Sequence, residues 1–331
     1  MEPRHNTEYP DEATAPSAAI DSRWAKLRND RKGWVRLGVF AVVTAGVFYL
    51  LSREIDYSSV WATLRGADPV LLGLAALCTV TFPLLAAFRW RRMLASLGYS
   101  VSLRECFNMI MAAWPMGTIT PSKSGDLMKA YYLKDRIPPA LVVGSVLAER
   151  TMDVLCLLAL ALVGCLAFQR YGLALLAGAG LAAGVLALVI MLRFRLPLPG
   201  KLRGKAEPML RSLRLISRSP SLLGWVILFT VLNWFASILQ VALAYLALGT
   251  PVPLFFTAGA LPLAIFVGLL PLTLSGMGTR DSAMMVLFAP YAPANVSLGV
   301  GILYSLFGYW LPALVGLPFL HRALPRGGPD R

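Results

Sequence analysis

The stretch FNMIMAAWPMGTITP (107–121) decides how this chain is folded. It is apolar, yet Pro115, Gly117 and Pro121 interrupt it. As a helix rising ~1.5 Å per residue, about 15 residues reach about 22 Å, short of a hydrocarbon core ~30 Å thick. Arg104 precedes it, and Lys123, Lys129, Lys134 and Arg136 follow it. Positive charge collects on the cytoplasmic side of a membrane. A short segment with such charge at both ends is expected to enter and leave on that side, as a re-entrant broken-helix hairpin.

Working outward, six full spans are expected: Trp34–Leu51, Val70–Phe88, Ala140–Phe168, Leu173–Leu192, Leu222–Leu248 and Ala294–Leu320. A loop of mixed charge joins the first two, up to about Pro69. Pro253–Ser275, broken by Pro262 and Pro271, reads as a second hairpin that turns through Gly276–Asp281 into the short apolar Ser282–Ala289. The fold class is thus an all-α polytopic membrane protein with six spans and two re-entrant broken-helix hairpins. Residues 1–33 form a polar tail expected to be disordered, 34–320 the transmembrane domain, and 321–331 a second tail. Within the domain, 193–221 is a basic loop with eight Lys/Arg and one Glu. Placing the N-terminus in the cytoplasm returns every basic cluster there, which predicts a multi-pass inner-membrane protein with both termini cytoplasmic. Three spans separate the hairpins, so they should enter from opposite faces, as in the inverted repeats of secondary transporters. Gly/Ser turns beside apolar segments occur in any membrane protein, and the repeat stays open at this stage.

Composition supports the class and excludes others. Of 331 residues, 57% are hydrophobic and 15% charged, against about 25% charged in soluble domains. Mean hydropathy is +0.65. The net charge of +14 is first a matter of cytoplasmic loops, so no nucleic acid partner is expected. The two histidines, His5 and His321, lie in the tails, and Cys78, Cys106, Cys156 and Cys165 form no C-x-x-C pair. Neither a metal site nor a cofactor is expected. Gly200-Lys201 and Gly204-Lys205 lack the Ser/Thr of a phosphate-binding loop, so no ATPase motor is read in this chain.

Two places could carry chemistry. The first is the pair of turns. Broken backbone at membrane depth persists only when buried in protein or lining a wet cavity, and freed amides there favour anions. Lys123, Gly125, Asp126 and Lys129 belong to the first turn; Gly276, Gly278, Arg280 and Asp281 belong to the second. Together they suit an anionic group such as phosphate. Plain interfacial charge explains Lys123 and Lys129 equally well. Arg280 is harder to explain so, with Asp281 its expected neighbour. The second place is Glu149, Arg150 and Asp153. Glu149 and Asp153 share a helix face at i and i+4. They are either buried and functional, with Arg150 on the anion, or held at the interface by an overlong helix; residue spacing allows both. Arg89, Arg91 and Arg92 read as topological determinants that attract anionic lipid. Trp24, Trp34, Trp90, Trp225 and Trp234 read as interfacial anchors.

FRWRRMLASLGYSVSL (88–103), TPSKSGDLMKAYYL (120–133), SVLAERTMDVLCLLAL (145–160) and LLPLTLSGMGTRDSAMM (269–285), in that order, resemble the membrane region of lysylphosphatidylglycerol synthases, a flippase-like family. The resemblance covers roughly 34–320. It implies translocation of an anionic or zwitterionic lipid, or lipid-linked headgroup, between leaflets. The family's positions carry over to Gly125, Asp126, Lys129, Glu149, Arg150, Gly276, Gly278 and Arg280. Asp281 stands where the family usually has Glu, and Lys123 lies in a turn that is usually Gly-rich. The expected partners are membrane lipids with an anionic headgroup, and no enzymatic activity is expected. The alternative is a non-transporting scaffold that binds anionic lipid and a partner enzyme of envelope biosynthesis, such as a glycosyltransferase.

Overall fold

The computed structural model describes residues 57–120, 125–193, 210–215, 217–269 and 273–323, with Glu207 and scattered positions in 35–49. The tails at 1–33 and 324–331, most of the first expected span, Lys123 and much of the 193–221 loop lie outside the described residues. Residues 1–39 cluster apart from 40–331; of the former only Val35, Gly38 and Val39 are described, and all are helical.

The described chain is helical: α1 (Tyr57–Arg65), α2 (Pro69–Ser96), α3 (Leu103–Ile119), α4 (Met128–Tyr132), α5 (Pro139–Ala167), α6 (Tyr171–Arg193), α7 (Pro220–Ala247), α8 (Leu254–Gly268), α9 (Thr279–Leu287), α10 (Ala294–Ser305) and α11 (Leu311–Ala323). A π-helical turn, Leu306–Trp310, joins α10 to α11. Among the described residues, five helices are long and apolar enough to cross a membrane: α2, α5, α6, α7 and the run from Ala294 to Leu320. These are five of the six expected spans.

Capping explains several boundaries. The Asp68 carboxylate accepts from the Val70 and Leu71 amides, and Pro69 takes the first position of α2. Ser102 and Glu105 form a reciprocal capping box at the start of α3. Ser219 caps α7 before Pro220. Two expectations are corrected here. The loop before Pro69 contains helix α1, whose Val60 and Leu64 pack on Leu298 of α10. The second span does not stop at Phe88: α2 continues for two more turns, because Trp90, Met93 and Leu94 keep an apolar face that is fully buried.

Both broken segments are helical hairpins. The first descends as α3 and returns through α4. Its two ends meet where Arg136 pairs with Glu105 at 2.8 Å, so it enters and leaves at one end of the bundle. The second descends as α8 and returns through α9, and its ends meet where Tyr291 packs on Phe256. Phe256 also packs on Phe168, at the end of α5. α5 begins at the first hairpin's end of the bundle and finishes at the second's, so the hairpins enter from opposite ends. Their tips touch: the Ser275 hydroxyl donates to the Thr118 carbonyl at 2.7 Å. Each descending arm crosses a spanning helix at glycine. On α8, Gly259 lies so close to Gly164 of α5 that a Cβ on either would strike the other's backbone. On α3, Pro115 frees the Met111 carbonyl from its helical bond, and Gly316 of α11 packs against that carbonyl and the proline ring. Among the described residues the two largest apolar clusters each form around one hairpin.

Candidate functional site

The tips of the hairpins are built by backbone. In the first, Gly125 presses on the Met116–Gly117 peptide, where no Cβ would fit, and its amide donates to the Thr120 hydroxyl at 2.8 Å. In the second, Gly276 (φ +75°) and Gly278 (φ +88°) take the left-handed conformation that glycine adopts without strain. The Gly278 amide donates to the Asp281 carboxylate at 3.0 Å, at the N-terminus of α9.

Behind the first tip runs a continuous chain of alternating charge. Asp126 pairs with Arg150 at 2.6 Å, and Arg150 with Asp153 at 3.2 Å. Asp153 pairs with Arg89 at 2.7 Å, Arg89 with Glu149 at 3.2 Å, and Glu149 with Lys129 at 3.2 Å. Arg89 also donates to the Thr230 hydroxyl of α7 at 2.7 Å. The first hairpin supplies both ends of the chain, α5 three members and α2 the central arginine. Three cations face three carboxylates. Glu149 is 0% exposed, enclosed by the helices around it. Burial of this many charges is tolerable only because each has an opposite neighbour.

The second tip carries a smaller cluster. Arg280 donates twice to Asp281 (3.0 and 2.7 Å) and once to the Ser305 hydroxyl at 2.6 Å. Its guanidinium lies over the rings of Tyr304 and Tyr309, 4.6 and 5.5 Å from their centroids.

A cavity of about 140 Å³ joins the two clusters. Its polar wall is Arg89, Asp126, Lys129, Arg150 and Asp153; its far side holds Tyr304 and Tyr309; Phe82, Ile110, Leu157 and Ile265 are among its apolar walls. The Arg150 side chain is 38% exposed, so that wall is open. Of the residues singled out from sequence, Asp126, Lys129, Arg150 and Asp153 line this space together. Glu149 lies behind them. Arg280 and Asp281 stand off it, beyond the tyrosines. Gly125, Gly276 and Gly278 shape backbone. Among the described residues no cluster of metal-ligating side chains occurs.

Three groups in or behind the cavity wall escape the sequence reading. Arg89 is not a topological marker but the buried centre of the charge chain; the apolar face continuing past it was the available signal. Trp90 is not an interfacial anchor: it is fully buried, donates to Ser145 at 3.0 Å and lies under Lys129. Trp234 stands halfway along α7, beside Asn233, and both line the cavity. A polar residue in mid-span is itself a functional signal. Arg92 and Trp225 do stack on one another, near the start of α7.

Two opposed hairpins meeting over a buried ion chain, within spans of this length, define an all-α polytopic membrane protein with an internal polar site. The chain belongs to the family of the lysylphosphatidylglycerol synthase TM region, which it matches over residues 34–316. It is 23% identical over 290 residues to a UPF0104 membrane protein of Methanothermobacter thermautotrophicus, covering 77% of this chain and 86% of that one. A UPF0104 membrane protein of Archaeoglobus fulgidus is 27% identical over 310 residues, covering 82% and 89%. The glycosyltransferase AglD of Haloferax volcanii is 31% identical over 122 residues, which are 36% of this chain and 20% of AglD.

Proposed function

We propose that this chain moves the polar headgroup of a lipid, or of a lipid-linked group, between leaflets, without catalysing a reaction. The observation that carries this reading is the cavity between the hairpin tips. It is charged on one wall, apolar on others, and open at Arg150. Its volume of about 140 Å³ falls below the ~300–1,000 Å³ typical of whole small-molecule sites. It takes a headgroup, while acyl tails remain outside. A separate groove of about 350 Å³, lined by Leu160, Val231, Phe235, Ile238, Leu254, Phe255 and Ala258, offers those tails an apolar surface. Lys129 and Arg150 meet an anionic group with charge-assisted hydrogen bonds. Movement without an ATPase follows a concentration gradient or the membrane potential, which is worth about 2.3 kcal/mol per charge per 100 mV. The setting is the plasma membrane, with the basic end of the bundle cytoplasmic.

A second reading is supported by the partial likeness to a glycosyltransferase: the chain binds anionic lipid and holds a partner enzyme of envelope biosynthesis, without transporting. Leaflet exchange in reconstituted vesicles separates the two. Fluorescent lipids of differing headgroup are followed by an impermeant quencher, for wild type and Arg150→Ala. Fast, headgroup-selective exchange lost in the variant supports translocation. Folded protein that exchanges no headgroup refutes it.

A further inference from the structure

One pair in the chain of alternating charge differs from the rest. The side chains of Arg89, Lys129, Glu149 and Asp153 are 9% exposed or less. Those of Arg150 and Asp126 are 38% and 16% exposed, and both residues line the cavity. Arg150 is therefore the cation that an entering anion meets first, and two carboxylates already hold it. Its Nη2 donates to Asp126 at 2.6 Å, and its Nη1 lies 3.2 Å from Asp153. The two carboxylates are not held alike. Asp153 also pairs with Arg89 at 2.7 Å, so pulling it away disturbs the buried centre of the chain. Asp126 stands at the open end, where water competes for both partners and an ion pair is weak.

We propose that Asp126 is an exchangeable counter-ion: a singly charged phosphodiester headgroup binds by taking its place on Arg150. This rests on the translocation reading for the lipid as the source of the phosphodiester, and names the step by which the headgroup enters. Charge balance favours the swap. Three cations face three carboxylates, so an anion merely added beside them meets no spare cation, which is costly away from water. An anion that replaces Asp126 leaves three against three, and the released carboxylate turns to the open wall. No other carboxylate serves: Glu149 is 0% exposed, and Asp153 is needed by Arg89. Phosphate oxygens fit the planar guanidinium fork as a carboxylate does. One negative charge leaves, so one is taken up. A phosphodiester carries one, whatever polar group it bears; a phosphomonoester carries about 1.5–2 near neutral pH and overshoots. The exchange also undoes the exposed tie between the first hairpin and α5. The buried tie, Lys129 to Glu149 at 3.2 Å, stays.

The test is a binding cycle. Full-length protein in maltoside micelles, which hold no phosphate, is titrated with dihexanoyl phosphatidylglycerol, and tryptophan fluorescence is followed, since Trp114 and Trp234 line the cavity. The comparators are dihexanoylglycerol, which lacks the phosphate, dihexanoyl phosphatidic acid, a phosphomonoester, and glycerophosphoglycerol, which lacks the acyl chains. Asp126→Asn keeps the shape and removes the charge. It is expected to bind phosphatidylglycerol about three- to fivefold tighter than wild type, the share of sites that a weak exposed pair holds closed. A misfolded variant would not bind tighter. Dihexanoylglycerol binding stays unchanged, and phosphatidic acid binds no tighter than phosphatidylglycerol in wild type. Glu105→Gln removes a carboxylate far from the cavity wall, keeps the capping box, and leaves affinity as it was. In an Arg150→Gln background, Asp126→Asn adds nothing, because the competition is for that guanidinium. A gain of equal size without Arg150 is plain relief of repulsion and overturns the exchange. Unchanged or weaker phosphatidylglycerol binding in Asp126→Asn also overturns it, and tighter binding of phosphatidic acid overturns the single-charge preference. Glycerophosphoglycerol binding as tightly as the lipid keeps the exchange and overturns the lipid as its source. Leaflet exchange by wild type with no affinity gain in Asp126→Asn overturns this inference and leaves translocation standing. An affinity gain with no leaflet exchange of any lipid does the reverse.

Discussion

Replacing Arg89 with alanine removes the central cation of the buried chain. Arg89 is 4% exposed and touches both Glu149 and Asp153, themselves almost wholly buried. Taking one partner from a buried ion pair destabilises a protein by ~3–5 kcal/mol, because the other charge is left without compensation. Here each carboxylate keeps a second cation at 3.2 Å, Lys129 for Glu149 and Arg150 for Asp153. The lower end therefore applies: about 3 kcal/mol, a factor of ~150 in the folded-to-unfolded ratio. Arg89→Lys keeps the charge but loses the planar fork that reaches two carboxylates, and falls between wild type and Arg89→Ala. The reference is Arg136→Ala. That arginine pairs with Glu105 at 2.8 Å, but the side chains are 52% and 42% exposed, so its loss costs ~0–1 kcal/mol. Reversible unfolding in mixed micelles, read by tryptophan fluorescence, gives all three values. If Arg89→Ala and Arg136→Ala agree within about 0.5 kcal/mol, the buried chain is not what holds α2 to α5.

Three further outcomes follow from the packing. Gly164→Ala drives a Cβ into Gly259 and destabilises by ~1–3 kcal/mol, whereas Gly172→Ala, with open space around it, changes stability by less than about 1 kcal/mol in the same unfolding measurement. In a background with the four native cysteines replaced, Thr118→Cys with Ser275→Cys forms an oxidative or short-linker crosslink, seen as a gel-mobility shift, because the hairpin tips touch; hairpins on the same face would not crosslink. Arg280→Ala strands Asp281, which is 0% exposed, and lowers the thermal midpoint more than Asp281→Asn, whose side-chain oxygen still accepts from the Gly278 amide.

Much of the architecture is legible from residues alone. The apolar runs place five of the described spans within a few residues of their observed ends at most boundaries. The breaks at Pro115–Pro121 and Pro262–Gly278 mark both hairpins. Charge within apolar sequence singles out Glu149, Arg150, Asp153 and Arg280, since such residues are too costly to keep without a role. Hydropathy fails at the end of α2. Arg89, Arg91 and Arg92 look alike in sequence, and only the first turns inward. It also fails at Trp90 and Trp234, because an aromatic residue reads the same whether it anchors at an interface, packs inside the bundle or lines a cavity.

Sequence by itself determined that this chain crosses a membrane in helices, where its segments break, and that charge interrupts the apolar run of α5. Those properties follow from transfer free energy and from the missing N–H of proline, both local to the residues concerned. Only the tertiary structure decided the partners. Arg89 meets Glu149 across 60 residues of chain, and the tip at Thr118 meets the tip at Ser275 across 157. Such pairings depend on how closely two glycine-bearing helices approach and which side of each helix then faces inward. That is a property of the packed bundle, not of any one segment.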